Sequence, residues 1–367
     1  MKVARIYHSG VVSDWRQRDR LLRSTGTDVT LISPKRWDEG GQVVRLDDGD
    51  DFVRPASTVG KHPYRFAYDP RVLSRAIRER PDIIDVHEEP ASLAGAEVLL
   101  VRWLCRRTSI PIVFYSAQNI YKRYPPPFRW FERAFLRRAS AAYVCNSEAV
   151  EVLRRKGFAG TIEVIPLGVD RERFSAEVQT ARGPSSGYVV GYVGRLEAHK
   201  GVDVLLHALS RVPDARLEVV GNGPERRSLE KLVSELHLDG RVRFLGSAEH
   251  GSIAAAYRRF DVLAVPSLTT SAWKEQFGRV AAEAMSVGTP VVASNSGSLP
   301  DVVGPAGLLV GPGDPVALAA ALRELMDPSR RAELGRAAAR WAEQFSWDAV
   351  AALHARLYRN VLAAANA

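Results

Sequence analysis

Residues 265–297, VPSLTTSAWKEQFGRVAAEAMSVGTPVVASNSG, contain the stretch that decides the fold, EQFGRVAAE at 275–283. It places two carboxylates, Glu275 and Glu283, eight residues apart, with a Phe-Gly step just after the first. The Ala-rich run after Gly278 predicts a helix that ends before the next Gly-Thr-Pro. At 1.5 Å per residue, the two carboxylates would be roughly 12 Å apart and nearly on one face of a helix.

The rest of the chain predicts two α/β domains. A length of 367 residues exceeds what one hydrophobic core usually supports, and 46% hydrophobic with 25% charged residues is ordinary globular composition. Short apolar runs alternate with helical patterns, which is typical of parallel sheets. Residues 174–187, rich in Gly, Ser and Pro, predict a linker. We therefore expect domains at 1–172 and 173–345, followed by an amphipathic helix at 346–367.

Each predicted domain begins with a strand. The first domain has apolar runs at 3–8, 28–33, 82–87, 110–116, 141–146 and 162–168. The second restarts with runs at 188–194, 216–221, 242–246, 262–267 and 290–294. A restart with a strand, a Gly turn and a helix is typical of a second doubly wound sheet.

The composition also bears on the cellular compartment and on the charge of the binding partners. No apolar run has the length to span a bilayer, and MKVARIYHSG at the start predicts a strand and not a secretory signal. Cys105 and Cys145 show no metal or redox spacing, which favours reduced packing residues in a cytoplasmic protein. The net charge of +9 favours anionic partners: nucleotide diphosphates, anionic lipid surfaces or nucleic acid.

Two Gly-rich turns in the second domain carry candidate ligand contacts. In GYVGRLEAHKGVDVLLHAL, residues 191–209, Gly194 ends a strand, and Arg195 and Lys200 follow on the turn. Both cations could reach one diphosphate from there, although solvated loop cations are the commoner fate of such residues. In VGNGPERRSLE, residues 220–230, the turn around Asn222 would let the backbone approach a ligand closely.

The block around Glu275 and Glu283 allows two interpretations. The spacing suits one acid at a sugar and one at a ribose, with a diphosphate at the helix N-terminus between them. Alternatively, the helix dipole alone would stabilise a carboxylate near its N-terminus, and Glu283 would lie on a solvated face. The combined arrangement of VPS, E-x-F-G, EAM and GTPVVAS resembles the retaining, GT-B-fold glycosyltransferases of family 4. The stretch from Arg195 to Gly201 resembles that family's G-R-x4-K-G signature.

The resemblance implies a fold and a set of site residues. The fold is GT-B: α/β, two Rossmann-like doubly wound domains facing a central cleft, with the C-terminal helix crossing back. Glu275 and His87 would be the catalytic residues, His87 reaching the donor sugar from the end of its strand. The remaining residues would bind the donor: Arg195, Lys200, Glu283, Gly194, Asn222, Phe277, Gly278, Arg279, Val280 and Gly10.

The implied reaction moves a sugar from a nucleotide diphosphate to a hydroxyl of a glycan, glycolipid or natural product. Arg195 and Lys200 would neutralise the leaving diphosphate, so no metal and no cofactor are expected. A same-face attack, with the leaving phosphate accepting the proton, fits these residues better than a two-carboxylate scheme. Domain closure would bring His87 to Glu275. Two alternatives stay open: a nucleotide-sugar 2-epimerase of the same fold and a non-catalytic nucleotide-sugar-binding protein.

Several positions depart from the family pattern. Gly10 stands alone where a phosphate-cradling Gly pair is usual, and Gln118 replaces a common His, so the acceptor is not inferred from relatives. Glu88 and Glu89 are candidates for loop structure or acceptor contacts. Ser298 replaces a common Gly in the block after Glu275, a change we expect to touch the donor contacts only weakly.

Residues 121–138, YKRYPPPFRWFERAFLRR, mix six cations and one acid with aromatic side chains. This pattern suggests peripheral contact with an anionic membrane, here the inner membrane face, although such a helix more often packs its aromatic side chains into its own domain. Nucleic acid is not expected as a partner, because no nucleic-acid motif accompanies the charge.

Overall fold

The computed structural model describes residues 1–39, 41–175, 187–247 and 252–366. The chain divides into two compact units, one made of Met1–Pro166 with Trp347–Ala367 and the other of Leu167–Ser346. Most of the expected linker, residues 176–186, lies outside the described residues.

Residues 167–172, which the sequence assigns to the first domain, group with the second unit. Val169 forms a parallel bridge with Ser346, and its N–H donates to the Phe345 carbonyl at 2.7 Å. The Arg279 side chain also donates to the Gly168 carbonyl at 3.4 Å. These contacts place the boundary between the units slightly before the expected one at 172/173.

The first unit is built from short parallel strands with helices between them. Its strands are β1 Lys2–Ile6, β2 Asp28–Pro34, β3 Arg36–Glu39, β4 Gln42–Arg45, β5 Val53–Ala56, β6 Thr58–Val59, β7 Ala67–Tyr68, β8 Ile83–Val86, β9 Ile112–Ser116, β10 Ala141–Val144 and β11 Thr161–Val164. Its helices before the second unit are α1 Gln17–Ser24, α2 Pro70–Arg78, α3 Leu93–Leu104, α4 Phe128–Leu136 and α5 Ser147–Arg155.

The main sheet of this unit has seven parallel strands in the order β11-β10-β9-β8-β1-β2-β5. Strand β8, with sequence IIDV, is buried at all four residues, as expected for a central strand covered on both faces. The strand order reverses between β1 and β8, so the carboxyl ends of these two strands form a topological switch point where ligands bind in such sheets.

The sequence missed the small strands of the first unit. Strands β3 and β4 form a short antiparallel hairpin whose residues are mostly exposed, and β6 with β7 forms a two-residue pair. Strand β5 adds an edge to the main sheet and includes a proline. Because such short or exposed strands carry little apolar periodicity, their pattern does not separate them from loops.

The second unit repeats the architecture. Its strands are β12 Tyr188–Val193, β13 Ala215–Val220, β14 Val242–Gly246, β15 Val262–Val265, β16 Val291–Ser294 and β17 Leu308–Val310. Its helices are α6 Val202–Leu209, α7 Arg226–Glu235, α8 Ile253–Arg259, α9 Arg279–Ser286, α10 Leu299–Val303, α11 Pro315–Glu324 and α12 Pro328–Trp341. The six strands are parallel, in the order β14-β13-β12-β15-β16-β17, with the switch point between β12 and β15.

The last helix, α13 Trp347–Asn366, returns to the first unit as expected. Its apolar face, with Leu357 and Tyr358 fully buried, packs with the N-terminal strand and with α1. The Tyr358 hydroxyl donates to a carboxylate oxygen of Asp85 at 2.6 Å. The chain therefore completes the first unit with its C-terminal residues.

Candidate active site

Two loops meet at the switch point of the second unit, one after β12 and the other after β15. They are held together by close backbone packing, since a Cβ on Gly201 would lie 2.1 Å from the Pro266 carbonyl oxygen. Gly201 also has a φ of 66°, which favours glycine. The Leu268 N–H donates to the His199 carbonyl at 2.8 Å, which fixes the loops in one register.

Lys200 and Glu275, each proposed from a separate motif, are in direct contact. Lys200 Nζ lies 2.8 Å from Glu275 Oε2, and the hydroxyl of Ser267 donates to the same oxygen at 3.1 Å. Trp273 lies on the other side of the cation, with Lys200 Nζ 4.6 Å from its ring centroid. The structure thus brings a cation and an acid to one point at the carboxyl edge of the sheet.

Trp273 also orders the loop that carries Lys200. The ring of His199 stacks on it with centroids 3.9 Å apart, and His199 Nε2 lies 3.1 Å from Glu197. The His199 side chain is only 23% exposed, because the indole covers it.

The main chain of Glu275 is fixed by two residues that follow β16. A Cβ on Gly297 would lie 2.1 Å from the Glu275 carbonyl oxygen, and Gly297 has a φ of 56°. The N–H and hydroxyl of Ser298 donate to that same oxygen at 3.0 and 3.2 Å. The expectation that Ser298 touches the donor contacts only weakly was therefore wrong, because Ser298 holds the backbone of Glu275.

The helix predicted after Gly278 is confirmed as α9, which begins at Arg279. Gly278 is its N-cap with a φ of 74°, and a Cβ there would lie 2.5 Å from Leu299. Glu275 precedes the helix in an irregular loop, so the helical spacing assumed for the two carboxylates does not apply. Phe277 is buried against Phe345, with ring centroids 5.8 Å apart, and anchors this loop next to the N-terminus of α9.

Arg279 and Val280 form the first turn of α9, where backbone N–H groups lack acceptors within the helix and carry partial positive charge. One turn later, Glu283 Oε2 accepts a hydrogen bond from the Tyr257 hydroxyl at 2.7 Å. Tyr257 is fully buried on α8, and burial together with Glu283 raises the pKa of its phenol well above its usual value. Tyr257 therefore remains a donor that orients Glu283.

The loops that carry Arg195 and Asn222 pack backbone to backbone. A Cβ on Gly221 would lie 1.8 Å from the Gly194 carbonyl oxygen, and the Leu196 N–H donates to the Asn222 carbonyl at 3.0 Å. Asn222 Oδ1 in turn accepts from the Gly223 N–H at 2.9 Å. The Arg195 side chain is 68% exposed and pairs with Glu197 at 2.8 Å. Its guanidinium therefore lies at the surface of the loop, where it could reach a ligand.

His87 follows β8 at the switch point of the first unit. Its ring stacks on Tyr115, with centroids 4.1 Å apart and 10° between the planes, and packs against Tyr7 at 4.1 Å. Its Nδ1 lies 2.9 Å from the Tyr143 hydroxyl and 3.3 Å from Arg5 Nη2. Burial and then the charge of Arg5 lower the pKa of His87 well below its usual value.

The neutral ring of His87 has one proton to place. The Tyr143 hydroxyl gives its proton to Asp85 and can only accept from Nδ1, whereas the Arg5 guanidinium can only donate to Nδ1. Among the described residues Nε2 has no hydrogen-bond partner, so it is available to a ligand.

Charged residues beneath His87 form a buried network. Asp85 is fully buried and accepts hydrogen bonds from Arg18 at 2.9 Å and from Tyr143 at 2.9 Å. Although burial opposes ionisation, Arg18 and Arg5 hold the pKa of Asp85 below its usual value. Tyr358 of α13 donates to the same carboxylate. The C-terminal helix thus supports the residues that position His87.

Gly10 lies in a short 3-10 helix after β1 and is buried against β2. A Cβ there would lie 3.1 Å from Leu31 and 3.2 Å from the Ser33 hydroxyl, which gives a packing reason for glycine. Its contact with a donor stays a prediction.

Nearby carboxylates are structural in the same way. Glu88 accepts from the His8 N–H at 2.8 Å and Tyr68 at 2.7 Å, and Glu89 accepts from the Ala117 N–H at 2.9 Å. These contacts favour a role in loop structure over acceptor contacts for Glu88 and Glu89.

The structure brings together Lys200 and Glu275, and it places Arg195 beside Asn222 and Glu283 on the helix that follows Glu275. His87 and Gly10 lie in the first unit. Sequence reasoning missed four residues that fix the site: Ser267, Trp273, Tyr257 and Gly297. Three of them lie in or next to the quoted 265–297 block, but only their contacts reveal a role.

The part of the chain that the structure describes contains neither a cluster of metal-ligating side chains nor a helix that could span a membrane. Among residues 1–39, 41–175, 187–247 and 252–366, no group of three or more His, Cys, Asp or Glu side chains could hold a metal ion. Within the same residues, no helix combines the length and the apolar character that crossing a membrane requires.

Two family models together match most of the chain. Residues 16–173 match Glycosyltransferase Family 4, and residues 176–341 match Glycosyl transferases group 1. A D-inositol 3-phosphate glycosyltransferase from Corynebacterium urealyticum is 33% identical over 93% of this chain and 88% of its own length. The sulfoquinovosyl transferase of Arabidopsis thaliana is 28% identical over 94% of this chain and 69% of its own length.

Solved structures agree on the fold. A sucrose-phosphate synthase from Thermosynechococcus elongatus superposes with a TM-score of 0.70 at 25% identity, covering 99% of this chain and all of that one. An Anabaena protein solved with UDP gives a TM-score of 0.68 at 21% identity, covering 98% of this chain.

The two doubly wound units and the loops at their switch points define a GT-B enzyme that acts on nucleotide sugars. The chain belongs to family 4 of the glycosyltransferases. This assignment favours the transferase prediction over the epimerase and over the non-catalytic binding protein.

Proposed function

We propose that this transferase moves a sugar from a nucleoside diphosphate to a hydroxyl acceptor, retains the anomeric configuration and needs no metal ion. The observation that carries the proposal is the 2.8 Å contact between Lys200 Nζ and Glu275 Oε2. The reaction develops negative charge on the leaving diphosphate and positive charge on the anomeric carbon. A fixed cation beside a fixed carboxylate stabilises both without reorganisation.

Lys200 and Arg195 neutralise the diphosphate. In the free enzyme Lys200 is held by Glu275 and Trp273, so its ammonium is already positioned when the phosphates arrive. Arg195, paired with Glu197 at the loop surface, provides the second cation. The first-turn N–H groups of α9 add partial positive charge next to Glu275. These groups take the place of a divalent metal.

Glu275 accepts from sugar hydroxyls and stabilises the positive charge at the anomeric carbon. Glu283, oriented by Tyr257, accepts from the ribose hydroxyls. His87 hydrogen-bonds a sugar hydroxyl through Nε2. The acceptor oxygen bonds to the anomeric carbon on the face from which the phosphate oxygen departs, and the acceptor proton passes to that phosphate oxygen. Bond making and breaking on one face retain the configuration.

The donor base and the acceptor are proposed from relatives only as the first compounds to test. UDP is the first nucleotide to test, since the Anabaena neighbour was solved with it. D-Inositol 3-phosphate is the first acceptor, since a relative of 33% identity carries that name. The departures at Gly10 and Gln118 lie in the acceptor half, so other polyols and lipid-linked sugars belong in the same panel.

The test measures turnover of UDP-sugars and GDP-sugars with each acceptor of this panel. A reaction without an added acceptor measures hydrolysis of the donor by water. Glu275→Gln should lower turnover about 10²- to 10³-fold, the loss typical for one preorganised electrostatic contact. Lys200→Ala should also lower turnover. Its matched control, Lys231→Ala at an exposed lysine of α7, should turn over the donor like the parent. NMR of the product should show the anomeric configuration of the donor, and EDTA should leave the rate unchanged. An inverted product, or loss of rate in EDTA that Mg²⁺ restores, would contradict the proposal.

A further inference from the structure

Helix α3, LAGAEVLLVRWL, is apolar on two opposite faces. One face, with Val98 and Val101, is buried in the core of the first unit. On the other, Leu100 is 54%, Trp103 63% and Leu104 62% exposed. A helix that is apolar all round is normally covered, and a cluster of large exposed apolar side chains marks an interaction surface.

Helix α4 extends this exposed face. A groove of about 690 Å³ runs between the two helices, with Leu100, Trp103, Phe131 and Ala134 among its lining residues. Trp130, on α4, is 61% exposed. We call residues 93–109 and 121–138, which carry α3, α4 and the groove between them, the α3–α4 surface.

Cations dominate the α3–α4 surface. Residues 93–109 and 121–138 together contain nine Arg or Lys and two Glu. Glu132 is paired with Lys156 at 2.5 Å, and Glu97 accepts from the Tyr68 N–H at 2.8 Å. The exposed cations are Arg106, Lys122, Arg123, Arg129, Arg133, Arg137 and Arg138. This surface therefore combines apolar area with a large excess of positive charge.

We propose that the α3–α4 surface docks on an anionic lipid bilayer. Leu100, Trp103, Leu104 and Trp130 enter the boundary between headgroups and acyl chains, where tryptophan is favoured because its ring is amphipathic. The arginines contact lipid phosphates. Apolar burial and electrostatic attraction act together, as in other peripheral proteins that lie on a membrane.

Charge decides between a bilayer and a second copy of this chain. A two-fold symmetric dimer through this surface would bring the same exposed cations against each other, and like charges across an interface are costly. An anionic bilayer instead complements them. The sequence predicted contact through residues 121–138 alone. The structure adds α3, which carries Leu100, Trp103 and Leu104, and the inference does not depend on the proposed function.

The test is co-sedimentation of the full chain with vesicles at about 0.1 M salt, near a 10 Å screening length. Vesicles of phosphatidylcholine with about 30% phosphatidylglycerol should bind the chain at least about tenfold more tightly than pure phosphatidylcholine. Leu100→Ser with Trp103→Ser should weaken this binding about tenfold or more. Arg129→Glu with Arg133→Glu should do the same through lost attraction.

Matched controls lie on exposed helix faces of the second unit. Val316→Ser replaces a side chain that is 58% exposed on α11, and Arg336→Glu with Arg340→Glu repeats the charge change on α12. These controls should bind vesicles like the parent, and melting temperatures should show that every variant folds. No binding to anionic vesicles would overturn the proposal. Equal binding by the Leu100→Ser, Trp103→Ser variant would also overturn it, because that result means charge adsorption without docking of the apolar face.

Discussion

Gly297→Ala should inactivate the enzyme by displacing Glu275. The Cβ of an alanine at this position would lie 2.1 Å from the Glu275 carbonyl oxygen and 2.9 Å from its nitrogen. Real Cβ atoms essentially never approach closer than 3.0 Å, so the Glu275 backbone must move by nearly 1 Å. Its carboxylate, which Lys200 and Ser267 hold from the other side, moves with it.

The expected loss follows from this displacement. A shift of about 1 Å in a positioned catalytic group costs about 10²-fold in rate, or about 2.7 kcal/mol of transition-state stabilisation. Alanine at a φ of 56° also destabilises the fold by about 1–2 kcal/mol. The first effect appears in donor turnover and the second in unfolding, so the two are measured separately.

Gly240→Ala is the matched control. Gly240 has a φ of 79°, and a Cβ there would meet no atom within 4 Å. Both variants therefore carry similar backbone strain, but only Gly297→Ala moves Glu275. We expect the lower melting temperature in Gly297→Ala, because its clash adds to the backbone strain that both variants share. We expect kcat/KM for the donor to stay near that of the parent in Gly240→Ala and to be about 10²-fold lower in Gly297→Ala. Parental turnover by a folded Gly297→Ala variant would refute the positioning argument.

Three further predictions concern single side chains. Tyr257→Phe removes the hydroxyl that orients Glu283, so calorimetry should show about five- to tenfold weaker nucleotide binding, and unchanged affinity would contradict that role. Burial raises the pKa of Glu97 to about 7 from 4.5, so the folded chain binds more protons than the unfolded one and stability falls as pH rises through that window. Because Glu97→Gln lacks this loss, its free energy of unfolding should rise relative to the parent by about 1–2 kcal/mol between pH 5 and 8, after a discount for solvent screening. A difference in unfolding free energy that does not change with pH would exclude the linkage. Burial raises the pKa of Cys145 to about 11, so a thiol reagent at pH 8 should modify it at least about 10²-fold faster in denaturant than in the folded chain, and equal rates would show that it is accessible.

The sequence predicts the central elements of the fold because their patterns are strong. The buried runs at β12 and β15 are continuous and apolar, and the start of α9 is marked by Gly278 in the left-handed region. It also supplied Lys200 and Glu275 from two motifs, and these prove to be in contact. Strong local signals thus locate the main strands and the two loops of the site.

The sequence could not show the contacts that hold those residues in place. Ser298 looks like a departure from a family glycine, but its hydroxyl and N–H fix Glu275. Tyr257 lies 26 residues before Glu283, and nothing in the local pattern of α8 indicates that they meet. The helical spacing assumed for the carboxylates failed because Gly278 starts α9 after Glu275. Tertiary packing, which is absent from local periodicity, decides each of these cases.

The most direct test of the donor site is a thermal-shift panel of UDP, GDP and dTDP on the parent, Glu283→Ala and Arg195→Ala, with Glu235→Ala on α7 as control. A nucleotide at 100 times its dissociation constant should stabilise the parent and the control by about 2.7 kcal/mol. We expect one of the three nucleotides to do so and both site variants to lose most of this gain. No response to any nucleotide, or the same response in all four proteins, would contradict this expectation.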